Sequence, residues 1–374
     1  MTESAVTTIE HDLPYWIAFS RVPSVGRVRI GLLEERFGSL KAAWEASTSE
    51  LGASGLTSTV VSAIEQVRRV VEPERELEQV CNANVRVLTW HDSNYPRAFR
   101  TIDDPPPILY VKGTLEPDDE VRATIVGTRS PTPYGKEVTR QLASGLAESG
   151  VAVVSGLARG IDGVAHDAAL KAGGRTVAII GSGLDIVYPP EHRSLFERIL
   201  GNGAVLSEYP LGSKPDAQHF PRRNRLLSGL SAATVVIEAG LKSGARLTVR
   251  SALEQNREVL CVPGSIYSPE SELTNALIQE GAKLVMGVED VLEELHVRGA
   301  PRQEPLPDIA ADTEEEARLL DVLTQEPQHI DELSRSAGVS ITQASGTLAV
   351  MEIKGSVLQV GRMNYIRART ASVR

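Results

Sequence analysis

Six short apolar runs in the middle of the chain end in small or polar residues of one kind. Val126 is followed by Gly127-Thr128-Arg129, and Val154 by Ser155-Gly156-Leu157-Ala158-Arg159-Gly160. Ile180 runs into Gly181-Ser182-Gly183, Leu206 into Ser207-Glu208-Tyr209-Pro210, Ile237 into Glu238-Ala239-Gly240 and Val262 into Pro263-Gly264-Ser265. Small residues let an anion reach backbone N–H groups, and a helix that starts there adds about half a positive charge. One such loop can simply turn the chain; six in series predict a crevice suited to phosphate. Arg129 sharpens this. A guanidinium straight after a buried strand needs an anion or a carboxylate, and its fork suits phosphate. Lys214 and the stretch Phe220-Pro221-Arg222-Arg223-Asn224-Arg225 add cations and an aromatic ring. Tyr134, Tyr188, Tyr209, Phe220 and Tyr267 all fall in or beside these loops, although aromatic residues make up only 4% of the chain. Aromatic faces beside a basic groove suit single-stranded nucleic acid, by stacking and phosphate neutralisation.

Other chemistries find less support. Gly181-Ser-Gly183 lacks the third glycine of G-x-G-x-x-G, and Gly135-Lys136 is followed by Glu137, which is not a Walker A loop. There is no H-E-x-x-H and no G-x-S-x-G. Asp162 and His166 share a helix face with no second histidine nearby, so packing or capping suits them better than a metal, and no cofactor is expected.

The loops need a frame. Predicted strands are Val121–Val126, Val151–Val154, Thr176–Ile180, Ala204–Leu206, Ala233–Ile237 and Glu258–Val262. Each is short, continuous and rich in Val, Ile or Ala, as in a parallel sheet buried on both faces. Helical stretches alternate with them: Tyr134–Ser149, Asp162–Lys171, Glu191–Leu200, Arg223–Leu230, Gly244–Gln255 and Ser271–Gln279. That alternation predicts a doubly wound α/β sheet over residues 81–297. Residues 1–80 read as short helices, and Val22-Pro-Ser-Val-Gly26 before Ile30-Gly-Leu-Leu33 has the look of a helix–hairpin–helix turn. A linker at 298–312 carries Pro301, Pro305 and Pro307. Residues 313–374 then show three helical patterns (Thr313–Gln325, Ile330–Ala337, Ile341–Ile353) and a β-hairpin, which is a winged-helix pattern.

The chain has 374 residues and a net charge of −10, which at first weighs against nucleic acid. The acid is local: from Glu289 to Glu326 twelve acids face three arginines, whereas from Lys214 to Glu258 eight bases face four acids. Sign within a Debye length of ~8 Å decides attraction, so the middle of the chain remains free to bind phosphate. Two cysteines 180 positions apart fit a reducing cytoplasm rather than a disulfide framework or a Cys-based zinc site. The N-terminus lacks the pattern of a secretory signal, and no apolar run approaches a membrane span.

The ordered series of motifs resembles the DNA-processing protein A (DprA, or Smf) family. Its carriers are Ile125-Val-Gly-Thr-Arg129 with Tyr134-Gly135, Val154-Ser-Gly-Leu-Ala-Arg-Gly-Ile-Asp-Gly163, Gly181-Ser-Gly-Leu-Asp185, Ser207-Glu-Tyr-Pro210, Phe220-Pro-Arg-Arg-Asn-Arg-Leu-Leu-Ser-Gly-Leu-Ser231, Ser243-Gly244 and Val262-Pro-Gly264. The resemblance implies an extended Rossmann-like domain between a sterile-alpha-motif-like helical domain and a winged helix. It also implies binding of single-stranded DNA without base specificity, dimerisation, and loading of the RecA recombinase in natural transformation. Carried over motif by motif, the DNA site comprises Gly127, Arg129, Ser155, Gly156, Arg159, Lys214, Phe220, Arg222, Asn224, Arg225 and Arg246. Two departures stand out: Pro190 replaces a basic residue usual after Tyr-Pro, and Arg246 stands where a shorter side chain is expected, as an added DNA contact or a structural ion pair. The core also resembles phosphoribohydrolases of the lysine-decarboxylase-like type, which keeps a nucleotide-cleaving enzyme as the alternative. Here Pro263-Gly264 runs into Ser265-Ile266, which breaks their P-G-G-x-G-T-x-x-E signature. A transcriptional regulator is a third reading, but Ile341–Lys354 offers only Lys354 as a base for groove contact.

Overall fold

The computed structural model describes residues 3–115, 121–297, 311–324, 326–361 and 363–367. The chain forms two compact units, 1–300 and 301–374. The linker expected at 298–312 lies outside the described residues apart from its last two positions.

The larger unit opens with six helices: α1 (Glu3–Ser20), α2 (Arg27–Phe37), α3 (Leu40–Glu45), α4 (Thr48–Ala53), α5 (Ser58–Arg68) and α6 (Pro73–Asn82). The turn of residues 21–26 joins α1 to α2, and Gly38 ends α2 in the left-handed region with φ of 77°. Nine strands follow: β1 (Arg86–Thr89), β2 (Ile108–Gly113), β3 (Arg122–Val126), β4 (Ala152–Ser155), β5 (Thr176–Ile179), β6 (Gly203–Ser207), β7 (Ala233–Val236), β8 (Glu258–Cys261) and β9 (Lys283–Leu284). Between and after them run α7 (Arg97–Arg100), α8 (Pro133–Glu148), α9 (Ile161–Lys171), α10 (Arg193–Gly201), α11 (His219–Leu230), α12 (Ala245–Glu254), α13 (Glu272–Gln279) and α14 (Val288–Glu294).

The strands form one sheet in the order β1-β2-β6-β5-β4-β3-β7-β8-β9. From β6 to β9 all pairs are parallel; β2 joins β6 antiparallel and β1 joins β2 antiparallel. Period-2 alternation sends Ala123 and Ile125 of β3 to a core with α8, α9 and α14, while Val126 faces a second core with α11, α12 and α13. Burial on both faces accounts for the unbroken apolar strands. The N-terminal helices share a third core with the sheet, which joins Phe19, Leu33 and Ile64 to Tyr110, Ala178 and Val205. Tyr110 is fully buried and its hydroxyl meets the Ser20 hydroxyl at 2.8 Å.

The smaller unit contains α15 (Glu314–Val322), α16 (Ile330–Ala337) and α17 (Ile341–Ile353), with β10 (Gln328–His329), β11 (Val357–Gln359) and β12 (Asn364–Arg367) in the order β10-β12-β11. Its core gathers Leu319, Leu333, Leu348, Met351, Val357 and Tyr365.

Candidate nucleic-acid interface

The strand order reverses beside β3. β4, β5 and β6 lie to one side of it and β7, β8 and β9 to the other. Loops leaving β3 and β7 therefore diverge, and a crevice opens at their carboxyl ends. That crevice encloses about 870 Å³.

Its floor is built by backbone and buried charge. The Thr128 N–H donates to the Glu238 carbonyl at 2.6 Å and clasps the two diverging loops. A Cβ on Gly127 would lie 2.6 Å from Ile161 Cγ1 and 2.8 Å from the Glu238 carbonyl oxygen, so only glycine fits. The Glu238 side chain is 2% exposed. It accepts from the Thr132 N–H at 2.9 Å and from the Thr132 hydroxyl, at the start of α8. Arg223 is 4% exposed and donates from Nη1 to the Gly156 and Ile179 carbonyls, across the ends of β4 and β5. Asp162 accepts from the Gly156 N–H at 3.1 Å and the Ala158 N–H at 3.3 Å. Burial pushes the Asp162 carboxyl up, opposed by the Arg223 charge and these amides, and pushes the Arg223 guanidinium down to about 10. Beneath them Thr176 donates its hydroxyl to the Val153 carbonyl, so the contact of 2.6 Å between His166 Nδ1 and Thr176 Oγ1 places the histidine proton on Nδ1. Burial pushes His166 down to about 3.

The rim differs in character. The Arg129 guanidinium lies 5.7 Å from the centre of the Phe220 ring, and Phe220 meets Tyr188 at 5.9 Å. Lys242, in the loop after β7, also lines the crevice. Arg129 and Lys242 are exposed, and among the described residues neither forms an ion pair. Two cations and two aromatic faces thus line one opening; Glu270 lines it as well, and among the described residues it forms an ion pair with neither cation.

The family model described as DNA recombination-mediator protein A matches residues 86–296, more than half of the chain. The chain belongs to the DNA recombination-mediator protein A (DprA) family. A DprA winged helix model matches residues 303–361. Protein Smf of Synechocystis is 36% identical, covering 94% of this chain and 98% of its own. A Mycobacterium tuberculosis protein described as a putative DNA processing protein DprA is 35% identical, covering 94% of each. The crystal structure of DNA processing protein A from Streptococcus pneumoniae matches with a TM-score of 0.66 at 33% identity, over 75% of this chain and 97% of that one. DNA processing protein A from Helicobacter pylori, described for its single-stranded DNA binding mode, matches with a TM-score of 0.52 at 34% identity, over 57% of this chain and 95% of that one.

The DprA motif residues take distinct places. Gly127, Arg129, Phe220 and Asn224 line the crevice, and the Asn224 amide reaches the Gly244 carbonyl at 3.4 Å. Lys214, Arg222 and Arg246 are exposed, each next in sequence to a lining residue (Pro215, Pro221 and Arg223, Ala245 and Leu247). None of the three forms an ion pair among the described residues, so the ion-pair alternative for Arg246 does not hold there. Ser155 and Gly156 are buried in the floor: the Ser155 hydroxyl donates to the Ile125 carbonyl at 2.7 Å, and both backbone groups of Gly156 are engaged by Asp162 and Arg223. Arg159 is held by Glu191, beside the lining residue Ala158. Arg225 points elsewhere. It pairs with Asp104 at 2.9 Å and Glu208 at 2.7 Å and does not line the crevice. Arg129 is exposed rather than enclosed at the strand end, because the chain turns outward at Gly127-Thr128, so burial does not oblige it to meet an anion. Lys242 and the structural part of Arg223 carry no distinguishing signal in the sequence. Lys242 was visible only as one base in a mixed run, and nothing in Arg-Arg-Asn-Arg tells which guanidinium turns inward.

In the winged unit, Lys354 donates to Asp312 at 2.7 Å and Glu316 at 2.6 Å, so the base at the end of α17 is already engaged. Of the wing bases, Arg362 and Arg369 lie outside the described residues; Arg367 donates to the Leu320 carbonyl at 3.3 Å. Among the described residues no helix is long and apolar enough to cross a membrane.

Proposed function

We propose that this chain binds single-stranded DNA without regard to sequence, shields the incoming strand, and loads RecA recombinase onto it in natural transformation. The observation that carries the reading is a pair of cations, Arg129 and Lys242, that form no ion pair among the described residues and line one opening with Phe220 and Tyr188 at the sheet's switch point. Cations held by no carboxylate meet phosphate without first breaking an ion pair, and the rings offer faces that any base can stack on. The single-stranded DNA binding described for the Helicobacter pylori relative supports the same reading. Within it, Gly127, Arg129, Phe220, Asn224 and Lys242 form the site, Lys214, Arg222 and Arg246 extend it along the rim, and Ser155, Gly156 and Arg223 hold the floor.

Residues 81–297 act as the DNA-binding domain, residues 1–80 as a helical domain and residues 313–374 as a winged helix beyond the 298–312 linker. The protein works in the cytoplasm as a homodimer and breaks no bonds. Glu238, the carboxylate that follows β7, is 2% exposed and accepts from the Thr132 N–H and hydroxyl. A salt-series titration with mixed-sequence oligonucleotides tests the reading. Single strands are expected to bind more tightly than duplex, with affinity falling as salt rises. Equal or tighter duplex binding refutes it.

A further inference from the structure

We propose that Ile266 and Tyr267, at the tip of the loop after β8, form a base-stacking platform that continues the single-stranded track beyond the crevice. This rests on the crevice being the DNA site. The side chains are 82% and 90% exposed, and Tyr267 makes no ring contact or side-chain hydrogen bond among the described residues. Both side chains present their faces to solvent rather than to a core.

The loop that displays them is held rigid. Tyr134 donates its hydroxyl to the Pro263 carbonyl at 2.8 Å. Asn275 bonds both backbone groups of Gly264, at 3.2 and 3.0 Å. The Tyr267 N–H is fixed by Ser265 Oγ at 3.2 Å, and the Ser268 N–H by the Ser265 carbonyl at 3.0 Å. A fixed backbone with free apolar tips is pre-organised for contact, because little order remains to be lost on binding.

The loop is also continuous with the crevice. β8 pairs in parallel with β7, so both loops leave the same edge of the sheet. The Leu273 N–H donates to the Ala239 carbonyl at 2.9 Å, and a Cβ on Gly240 would lie 3.1 Å from the Pro269 carbonyl oxygen. Glu270, three positions after Tyr267, lines the crevice beside Gly240 and Lys242. A strand held by its phosphates at Arg129 and Lys242 therefore meets an exposed ring face on the β8 side. The occupant is an unpaired base. Duplex DNA hides its base faces in its own stack, so the platform favours single strands whatever their sequence.

The full-length protein and its Tyr267→Ala variant are titrated with thymidine oligomers from about 4 to about 16 nucleotides. Tyr267→Ala is expected to weaken binding of the long oligomers about tenfold and to leave the shortest unchanged. Tyr267→Trp is expected to restore the long-oligomer affinity, and both variants to melt with the unsubstituted protein. An unsubstituted protein that binds, with Tyr267→Ala matching it at every length, overturns the platform alone. A loss equal at all lengths puts Tyr267 inside the crevice and overturns the extended track. Failure of the unsubstituted protein to bind any oligomer overturns the crevice reading together with the platform.

Discussion

Replacing Arg129 with alanine is the most direct perturbation of the rim. Arg129 is exposed and forms no ion pair among the described residues, so its loss removes a cation without unmasking a buried carboxylate. The floor beneath does not depend on it, because Thr128 and Glu238 clasp through backbone atoms. One phosphate neutralised on a single strand contributes about 0.7 to the slope of log affinity against log salt. At about 0.1 M salt that slope is worth roughly 1 kcal/mol, or about a fivefold rise in Kd. Phe220 loses its cation–π partner at the same time, which adds to the loss. The assay is fluorescence anisotropy on a labelled mixed-sequence oligonucleotide between about 50 and 200 mM salt. Arg129→Ala is expected to raise Kd about fivefold and to flatten the slope by about 0.7, equally for all sequences. Arg129→Lys keeps the charge and loses the planar fork, so it is expected to recover the slope but only part of the affinity. A Kd that rises while the slope stays put would show that Arg129 touches no phosphate, and the assignment of the rim would fall.

Arg225→Ala is the counterpart. It frees Glu208 and Asp104, so it is expected to cost about 2 kcal/mol of stability in a denaturant titration while leaving the salt slope intact; a flattened slope would return Arg225 to the site. His166 makes stability depend on acidity. Burial holds it at about 3 against an ordinary 6.5, so the unfolded chain takes up a proton near pH 6.5 that the folded chain refuses until about pH 3. Stability is therefore expected to fall by about 2 kcal/mol between pH 7 and pH 5 from this group, and the fall to shrink by that amount in His166→Gln. Matching pH dependence in both proteins, measured by urea unfolding, would contradict the burial argument. Deleting residues 298–374 is expected to leave most single-stranded DNA affinity intact, since Lys354 is already paired with Asp312 and Glu316; a large loss in filter binding would shift the site toward the winged helix.

The sheet from β3 to β8 was legible because each strand is buried on both faces and reads as an unbroken apolar run. β1 and β2 are not legible in the same way. They join the sheet antiparallel, without the strand–loop–helix rhythm that marks a crossover, and Arg86 and Lys112 break their apolar character. β9, at two residues, is too short to carry a pattern. At the site, the loops after β3 and β7 were legible from their glycines, and the aromatic rim from Phe220 and Tyr188. The division of labour within Arg222-Arg223-Asn224-Arg225 was not. It depends on Asp162 lying beneath α11, and on Asp104 and Glu208 beside it, far away in sequence. Ser155 looked like a phosphate ligand by position, but its hydroxyl closes a bond to the neighbouring strand.

The clasp of Thr128 on Glu238, with glycine beside it at Gly127 and the Glu238 side chain turned away onto Thr132, separates the parts that set shape from those that meet solvent. Arg129, Lys242 and Arg246 can be exchanged without disturbing that scaffold. The opening is therefore open to redesign: charge and ring content can be retuned residue by residue, and evolution can drift the grip on a strand while the architecture underneath stays the same.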